Sequence, residues 1–344
     1  MGQRGFWDED DRMSKIKKKC PTLHDMRMAI DWEAFLPLLL LGYSQERKSN
    51  AGRKPIDPLI MFRMLILQQL YNLSDEELEL QVNDRRSFED FIGLGVMDSI
   101  PDATTVSFFR ERLIKADVIE ELFDTLDRHL RDHGFEAKGG QIIDATFIPV
   151  PKQRNTREEN QEIKNGKVPE SFKESPDRLQ QKDTDAQWAK KNNENHYGYK
   201  NSIGIDREHG FIRRYEVTPA DKHDSQMLPA LLDPTNNDDF VFADSAYAGK
   251  IFEELLEAAG FESFIHEKGH RNHPLSDASK AFNHVKSKIR ALVEHVFGGM
   301  AMCMGGTYTR VIGLRRVKGW WGLKNLTYNM LRFTRKIKQD LIYS

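Results

Sequence analysis

The sequence predicts an α/β protein in which an all-helical N-terminal module precedes a mixed sheet flanked by helices. Three observations carry this reading. Residues 55–133 show helical apolar spacing interrupted by capping residues and tight loops. At Gly139-Gly140 the character changes, and the β-branched run QIIDATFIPV opens as a strand. From there strand, hairpin and alternating helix and strand patterns follow, the signature of a mixed sheet with helices on its faces.

Taken in order, residues 1–50 read as an irregular arm with basic clusters such as KIKKK at Lys15–Lys19. Within it, FLPLLLLGY near residue 35 reads as a short core segment. The loop ERKSNAGRKP leads to PLIMFRMLILQQLY, helical over Pro58–Tyr71. Ser74 is a good N-cap and Glu77 stands three residues later, the spacing of a capping box. Asp102 or Thr104 can cap the next helix, before Val106, Phe108 and Phe109, and residues 117–133 form another amphipathic helix. Short helices joined by tight loops fit a helix-turn-helix type of DNA binder, a pattern that many small bundles share. After QIIDATFIPV, 43 polar residues with almost no apolar period predict a loop or insertion at about 151–195. HYGYKNSIGIDREHGFIRRYEVTPA reads as a hairpin turning at Glu208–Gly210. A helix near Ser225–Leu232 precedes the buried strand in DDFVFADSAYAG. Then come the helix KIFEELLEAAG, the strand FESFIHEK, the long helix SDASKAFNHVKSKIRALVEHVFGGM, a short strand, and a closing helix. The expected domains are 1–135, a helical module with a basic arm, and 136–344.

Composition narrows the function. The chain has 344 residues, 39% of them hydrophobic and 30% charged, which suits one large or two ordinary globular domains. No apolar run approaches the roughly 18 residues of a membrane helix. The N-terminus shows no apolar leader, and Cys20 and Cys303 form no CxxC unit. The expectation is a cytoplasmic protein. Net charge is only -2, yet from Tyr71 to Glu136 there are 17 acidic and 7 basic residues. From Lys280 to Asp340 there are 13 Lys and Arg against Glu294 and Asp340 alone. Such a basic block, interleaved with aromatics, suits a surface that meets phosphate, or else a solvated helical face that balances the acidic module.

Asp144 is the only ionisable residue in QIIDATFIPV, and Asp244 ends FVFAD. A single strand-end Asp is more often a cap or a structural hydrogen bond. Two in matching contexts on neighbouring strands repel one another, and a divalent cation relieves that repulsion. On the long helix, Val285, Ile289, Leu292, Val293 and Val296 follow a buried-face spacing. Lys286, Arg290 and Glu294 lie on the adjoining stripe, so Glu294 is a third candidate carboxylate; an ordinary Arg290–Glu294 surface pair is the alternative.

The arrangement Asp144, Asp244, Glu294 on strand, strand and helix resembles the DDE transposases with a ribonuclease-H-like fold, of the bacterial insertion-sequence-5 family. GRKPIDPLIMFRMLILQQLYNLSDEELE, PDATTVSFFRERL, IDATFI, HYGYKNSIGID, FADSAYAG, RALVEHVFGGM and GLKNLTYNMLRF carry the resemblance, which covers nearly the whole chain from Arg53. Related families hold Tyr and Lys around the third carboxylate where this chain has Ser287 and Ala301; Arg290 and Glu294 match. Lys286 and Lys288 are candidates to take over part of the DNA contact.

The resemblance implies that Asp144, Asp244 and Glu294 are catalytic and hold two Mg²⁺ ions, with Mn²⁺ as a substitute, since oxygen-only donors disfavour zinc. It implies double-stranded DNA partners, the inverted repeats of the element and a target, a homodimer pairing two ends, and a place at the nucleoid. By the same resemblance, water is expected first to free 3′-hydroxyls at the ends of the element, and these then to attack target DNA. Candidate DNA contacts are Arg53, Lys54, Arg290, Lys286, Lys288, Arg315, Arg316 and Lys318, with Trp320 and Trp321 as stacking platforms or as core. Two rivals are a ribonuclease-H-like nuclease without strand transfer and a DNA-binding repressor. HEKGH at His266–His270 matches the zinc protease pattern, but it contains Gly269 and precedes RNHP, so a loop is expected where a helix is required.

Overall fold

A computed structural model describes residues 8–43, 56–95, 98–191, 193–269 and 274–343. Two compact units emerge, Met1–Asp132 with Gly322–Ser344, and His133–Trp321. No helix among the described residues is long and apolar enough to cross a membrane.

The first unit is helical: α1 Asp8–Lys19, α2 Pro21–Ala29, α3 Leu36–Leu41, α4 Pro58–Tyr71, α5 Asp75–Asp84, α6 Arg86–Ile92, α7 Ala103–Ala116 and α8 Ile119–Asp132. The basic arm expected to be irregular is thus helical, because Lys15–Lys19 complete α1 and Pro21 sits in the first turn of α2, where its missing N–H costs nothing. Helix α4 begins and ends where its apolar spacing predicts, with the Leu59 N–H donating to Asp57 Oδ1 at 2.8 Å. Ser74 caps α5 by accepting the Glu77 N–H at 3.1 Å. The return half of the expected box is not seen, since Glu77 Oε1 accepts from the Gln81 amide instead. Asp102, not Thr104, caps α7. Buried Arg110 ties α7 to α4 and α5, donating to Gln68 Oε1 at 2.8 Å and to both Asp75 oxygens at 2.7 and 2.8 Å.

The second unit is built on one six-stranded sheet with β1 Gln141–Pro149 inside it. On one side β1 pairs antiparallel with β3 Glu194–Asp206. The far edge of β3 is shared between β2 Gln187–Lys191 and β4 Ile212–Pro219. On its other side β1 pairs in parallel with β5 Phe240–Phe242, which pairs in parallel with the two-residue β6 Glu262–Ser263. Gly140 is required at the β1–β5 seam, since a Cβ there would lie 2.6 Å from the Phe240 carbonyl oxygen at a φ of +83°.

Helices cover both faces. Ile143, Leu228, Leu231, Val241, Ala243, Tyr247, Leu256 and Ile265 form a core cluster with α12 Leu228–Leu231 and α13 Lys250–Ala258. Strand alternation turns Asp144 to the other face, towards α14 Asp277–Cys303. The polar segment read as a loop folds into α9 Arg157–Lys164, α10 Glu170–Lys173 and α11 Pro176–Gln180 around buried Ile163 and Phe172. Thr156 and Glu159 make a complete capping box for α9. The short strand expected before the last helix joins no sheet among the described residues; Thr309 N–H donates to Pro149 O at 3.2 Å, and α15 Leu314–Tyr343 follows.

The β3–β4 hairpin is closed by a fully buried ion pair, Arg213 Nε to Asp206 Oδ1 at 2.9 Å. Asp206→Ala strands the guanidinium in the core. Chemical denaturation is expected to show unfolding easier by about 3–5 kcal/mol, while Asp206→Asn, which keeps an acceptor, loses less.

Candidate active site

The sheet register sets the site. The last paired positions of β1 and β5 are Ile142 and Phe242, and Asp144 and Asp244 each stand two residues further on. Parallel neighbours in register therefore carry two carboxylates side by side. In each, one oxygen is fixed by the backbone: Ala145 N–H donates to Asp144 Oδ1 and Ala246 N–H to Asp244 Oδ1, both at 2.8 Å. Asp244 thereby caps the 3-10 turn Ser245–Tyr247, so the ordinary structural role of such an Asp is present here and occupies one oxygen only. The two Oδ2 atoms face one guanidinium. Arg290 Nη1, from α14, lies 3.3 Å from Asp144 Oδ2 and 3.8 Å from Asp244 Oδ2.

Burial dominates the electrostatics. Asp144 is 6% exposed, and burial lifts its carboxyl to about 6 against the pull of the Ala145 N–H and Arg290, with Asp244 and Glu294 pushing further up. His266, half-buried beside the site, is held below its usual value by burial and by Arg290 and Lys286, against Asp244. Its backbone N–H donates to the Ala243 carbonyl at 3.2 Å. A second ion pair joins Lys200 of β3 to Asp224 at 2.7 Å.

The third carboxylate stands apart. Glu294 is exposed on α14, and Arg290 pairs with the two aspartates rather than with it. Its charge still acts on Asp144. The buried stripe of α14 is Lys286, Val293, Val296 and Met300, whereas Val285 and Leu292 are exposed. That rotates the face expected from apolar spacing by roughly one residue, because Lys286 turns inward: its Nζ donates to the Ile265 carbonyl at 2.8 Å and lies over the Phe282 ring. Among the described residues no three His, Cys, Asp or Glu side chains stand close enough together to hold a metal ion. The donor chemistry of the aspartate pair nevertheless fits a hard divalent cation. Two amide-anchored carboxylates turn their remaining oxygens to one point, and a cationic group of the protein already lies there.

Of the remaining candidates, Lys288, Arg315 and Arg316 are exposed. Lys318 pairs with Glu216 at 2.6 Å. Trp320 and Trp321 are both buried, which makes them core rather than stacking platforms. Ser287 spends its hydroxyl on the Asn283 carbonyl at 2.9 Å. Arg53, Lys54 and His270 lie outside the described residues. His266–Gly269 is loop, not the helix a zinc protease motif needs. Sequence reasoning missed His266, Lys200 and Asp224; single residues in mixed segments offer no periodic signal.

A protein whose sheet presents paired carboxylates on adjacent parallel strands, with a helical module preceding it in sequence, has the form of a nucleic-acid-processing enzyme. The model of the transposase DDE domain matches residues 136–330, and that of a second transposase domain, "Transposase domain (DUF772)", matches residues 11–112. The chain belongs to the transposase DDE domain family, and it is a DNA transposase. A solved structure of the piggyBac transposase synaptic complex with hairpin DNA aligns at TM-score 0.47 and 9% identity, over 93% of this chain and 76% of that one.

Two outcomes follow from the charge balance. Because folding raises the Asp144 pKa from 3.8 to about 6, its favourable contribution is complete below about pH 4 and is lost as pH rises through 6. In EDTA, the melting temperature of Asp144→Asn relative to wild type is expected to climb between pH 4 and 6 and then level off. The ceiling is on the order of 3 kcal/mol, and a flat difference across that window would contradict it. Arg290→Gln is expected to lower metal-free stability near pH 7.5 yet tighten Mn²⁺ binding several-fold in calorimetry, since a competing cation is gone. Weaker Mn²⁺ binding would show that Arg290 supports the loaded site instead.

Proposed function

We propose that this chain is a transposase of the insertion-sequence-5 type whose second unit is a ribonuclease-H-like domain with Asp144, Asp244 and Glu294 as its catalytic carboxylates. One observation carries the reading: two amide-anchored aspartates on adjacent parallel strands turn their outer oxygens to a single cation. The sheet order, with β1 flanked by an antiparallel β3 and a parallel β5, supports the fold assignment. The reaction is cleavage at the ends of the element followed by joining of the 3′-hydroxyls to target DNA.

Asp144, Asp244 and Glu294 would hold two Mg²⁺ ions, or Mn²⁺, through oxygen donors alone. When bound, the ions stabilise charge on the attacking and leaving oxygens of an in-line displacement at phosphorus. The chain's own groups perform the orienting work. The amides of Ala145 and Ala246 lock the aspartate rotamers, so little reorganisation is needed when a cation enters. Arg290 neutralises the pair beforehand and, once released, stands within the site as a guanidinium suited to a phosphate. Lys286 holds the Ile265 carbonyl, and the exposed Lys288, Arg315 and Arg316 are candidates for backbone contacts. We assign DNA-end recognition to the helical unit, and pairing of two ends to a homodimer.

The test is transfer of a labelled, precleaved element end into plasmid DNA. Wild type is expected to join in Mg²⁺ and not in EDTA. Asp144→Ala and Asp244→Ala are expected to lose joining by about a thousandfold or more, with DNA binding kept. Glu294→Gln should fall as far if the helix supplies the third ligand. Joining that survives Asp244→Ala would end this reading, and cleavage without joining would favour a nuclease.

A further inference from the structure

Beyond the carboxyl end of β1 lies a cavity of about 350 Å³, bounded by the start of the polar segment, the turn after α11 and the stretch before α15. Four cationic side chains line it, Lys152, Arg178, Lys182 and Arg310, against one carboxylate, Asp183. That carboxylate is buried and already engaged: its Oδ1 accepts from the Tyr199 hydroxyl at 2.6 Å and from the Asp185 and Ala186 amides. The walls are pinned in place. Thr309 N–H donates to the Pro149 carbonyl, and Leu314 N–H to Asp185 Oδ2 at 2.8 Å. Lys182 Nζ donates to the Arg154 carbonyl at 2.9 Å and to Asn155 Oδ1 at 2.6 Å.

Like charges held side by side carry a cost. Arg178 and Lys182 both stand over the Phe172 ring, 4.9 and 5.2 Å from its centroid, and Glu159 bonds the first of them at 2.8 Å. Lys152 and Arg310 lie over the rings of Trp188 and Tyr308, and neither pairs with a carboxylate among the described residues. An excess of fixed cations around one hollow is relieved by an anion, and guanidinium and ammonium groups together match the oxygens of a phosphate. The position favours a phosphate that belongs to a chain. Lys152, Arg178 and Arg310 are exposed, as are the Trp188 and Tyr308 rings, so a polymer can lie across the opening. Val150, at the cavity wall, is six residues beyond Asp144. On an extended strand that is about 20 Å, the rise of about six base pairs.

We propose that this cavity seats a backbone phosphate of the DNA substrate, with Lys152, Arg178, Lys182 and Arg310 as its donors. The seat belongs to the transposase reading, and only its separation from the cut depends on the carboxylate site proposed above. Such a contact carries no sequence information; it fixes the register and direction in which the duplex runs past the aspartates. It also gives the polar segment a task, since the small core around Phe172 and Ile163 holds Arg178 and Lys182 at the cavity wall.

The test combines Lys152→Gln and Arg310→Gln in the full chain, because these side chains touch only exposed rings and leave the small core intact. Lys138→Gln, before the opposite end of β1, controls for loss of a surface charge. Melting temperature is expected to stay level. Affinity for a duplex carrying the element's end is expected to fall about tenfold, with an equal fall for an unrelated duplex. The slope of log K against log salt is expected to shrink by about one. Single neutral methylphosphonates in the duplex locate the contact. One position, about six base pairs from the cut, is expected to weaken binding by wild type and to leave the double variant unaffected. Unchanged affinity and slope, or a loss matched by Lys138→Gln, would overturn the seat. So would inorganic phosphate that raises the melting temperature of wild type alone while both proteins bind DNA equally, since the hollow then serves a free anion. A single sensitive position far from the expected one supports the seat and counts against the placement of the carboxylate site.

Discussion

Two negative charges side by side, just beyond the point where the parallel strands β1 and β5 cease to pair, are the constraint to which the rest of the second unit answers. Parallel register between β1 and β5 puts Asp144 beside Asp244, with Asp144 almost wholly removed from water. Neither strand can shift by a residue without turning a carboxylate into the hydrophobic cluster on the opposite face. Three devices make the pair tolerable in the metal-free protein: a backbone amide to each, the shared guanidinium of Arg290, and a raised affinity of Asp144 for a proton. The first survives exchange of the counter-ion. In the proposed metal site the other two would give way to a divalent cation. A buried like-charge pair of this kind costs stability, and its retention is intelligible only if the charge is used.

The sheet around the pair reads as support for that geometry. β3 is thirteen residues long and serves as partner to β1 along its whole length, while β2 and β4 divide its other edge. This buttress sits on one side of β1 and leaves the β5 side to receive α14, which packs against both strands and delivers Arg290. The Asp206–Arg213 pair closes the hairpin at the end of β3 remote from the polar segment. That segment, between β1 and β2, is folded around Phe172 and Ile163 and places its cations, Arg178 and Lys182, over the Phe172 ring. It builds a small core of its own from two apolar side chains, which is why no apolar period announces it.

Legibility in the sequence followed the strength of local rules. Helix α4 is apolar all round and begins at Asp-Pro, so its limits could be read to the residue. Asp144 and Asp244 stand out because an isolated charge in an apolar run is expensive; Asp244 follows the end of β5, half-buried, whereas Asp144 is buried within β1 rather than at its end. The face of α14 departs from its apolar spacing at Val285 and Leu292, which are exposed. Lys286 turns inward instead, laying its stem along Phe282 and placing its ammonium on a carbonyl, a compromise that spacing does not reveal. Trp320 and Trp321, beside three cations in sequence, looked equally suited to base stacking and to packing; the inward turn of α15 buries them. Lys200 and Asp224 pair across two segments distant in sequence, and no local pattern encodes that meeting.

The third carboxylate raises the last physical question, because it is held so differently from the first two. Asp144 and Asp244 are short side chains on strands, each locked by an amide, so their oxygens are placed before any ligand arrives. Glu294 is a longer side chain on a helix, exposed to water and paired with neither Arg290 nor another cation among the described residues. Ordering it costs rotamer entropy, on the order of 1–2 kcal/mol for such a side chain, which must come from the ligand it joins. In the proposed site this divides the labour. The aspartates supply a rigid half-site whose charge is balanced internally by Arg290, and Glu294 completes it only when a ligand offers a compensating interaction. Arg290 and Glu294 sit one turn apart on α14, so a small displacement of that helix moves the counter-ion and the third ligand together. A site assembled in that order would stay charge-balanced when empty and form its full donor set only when loaded.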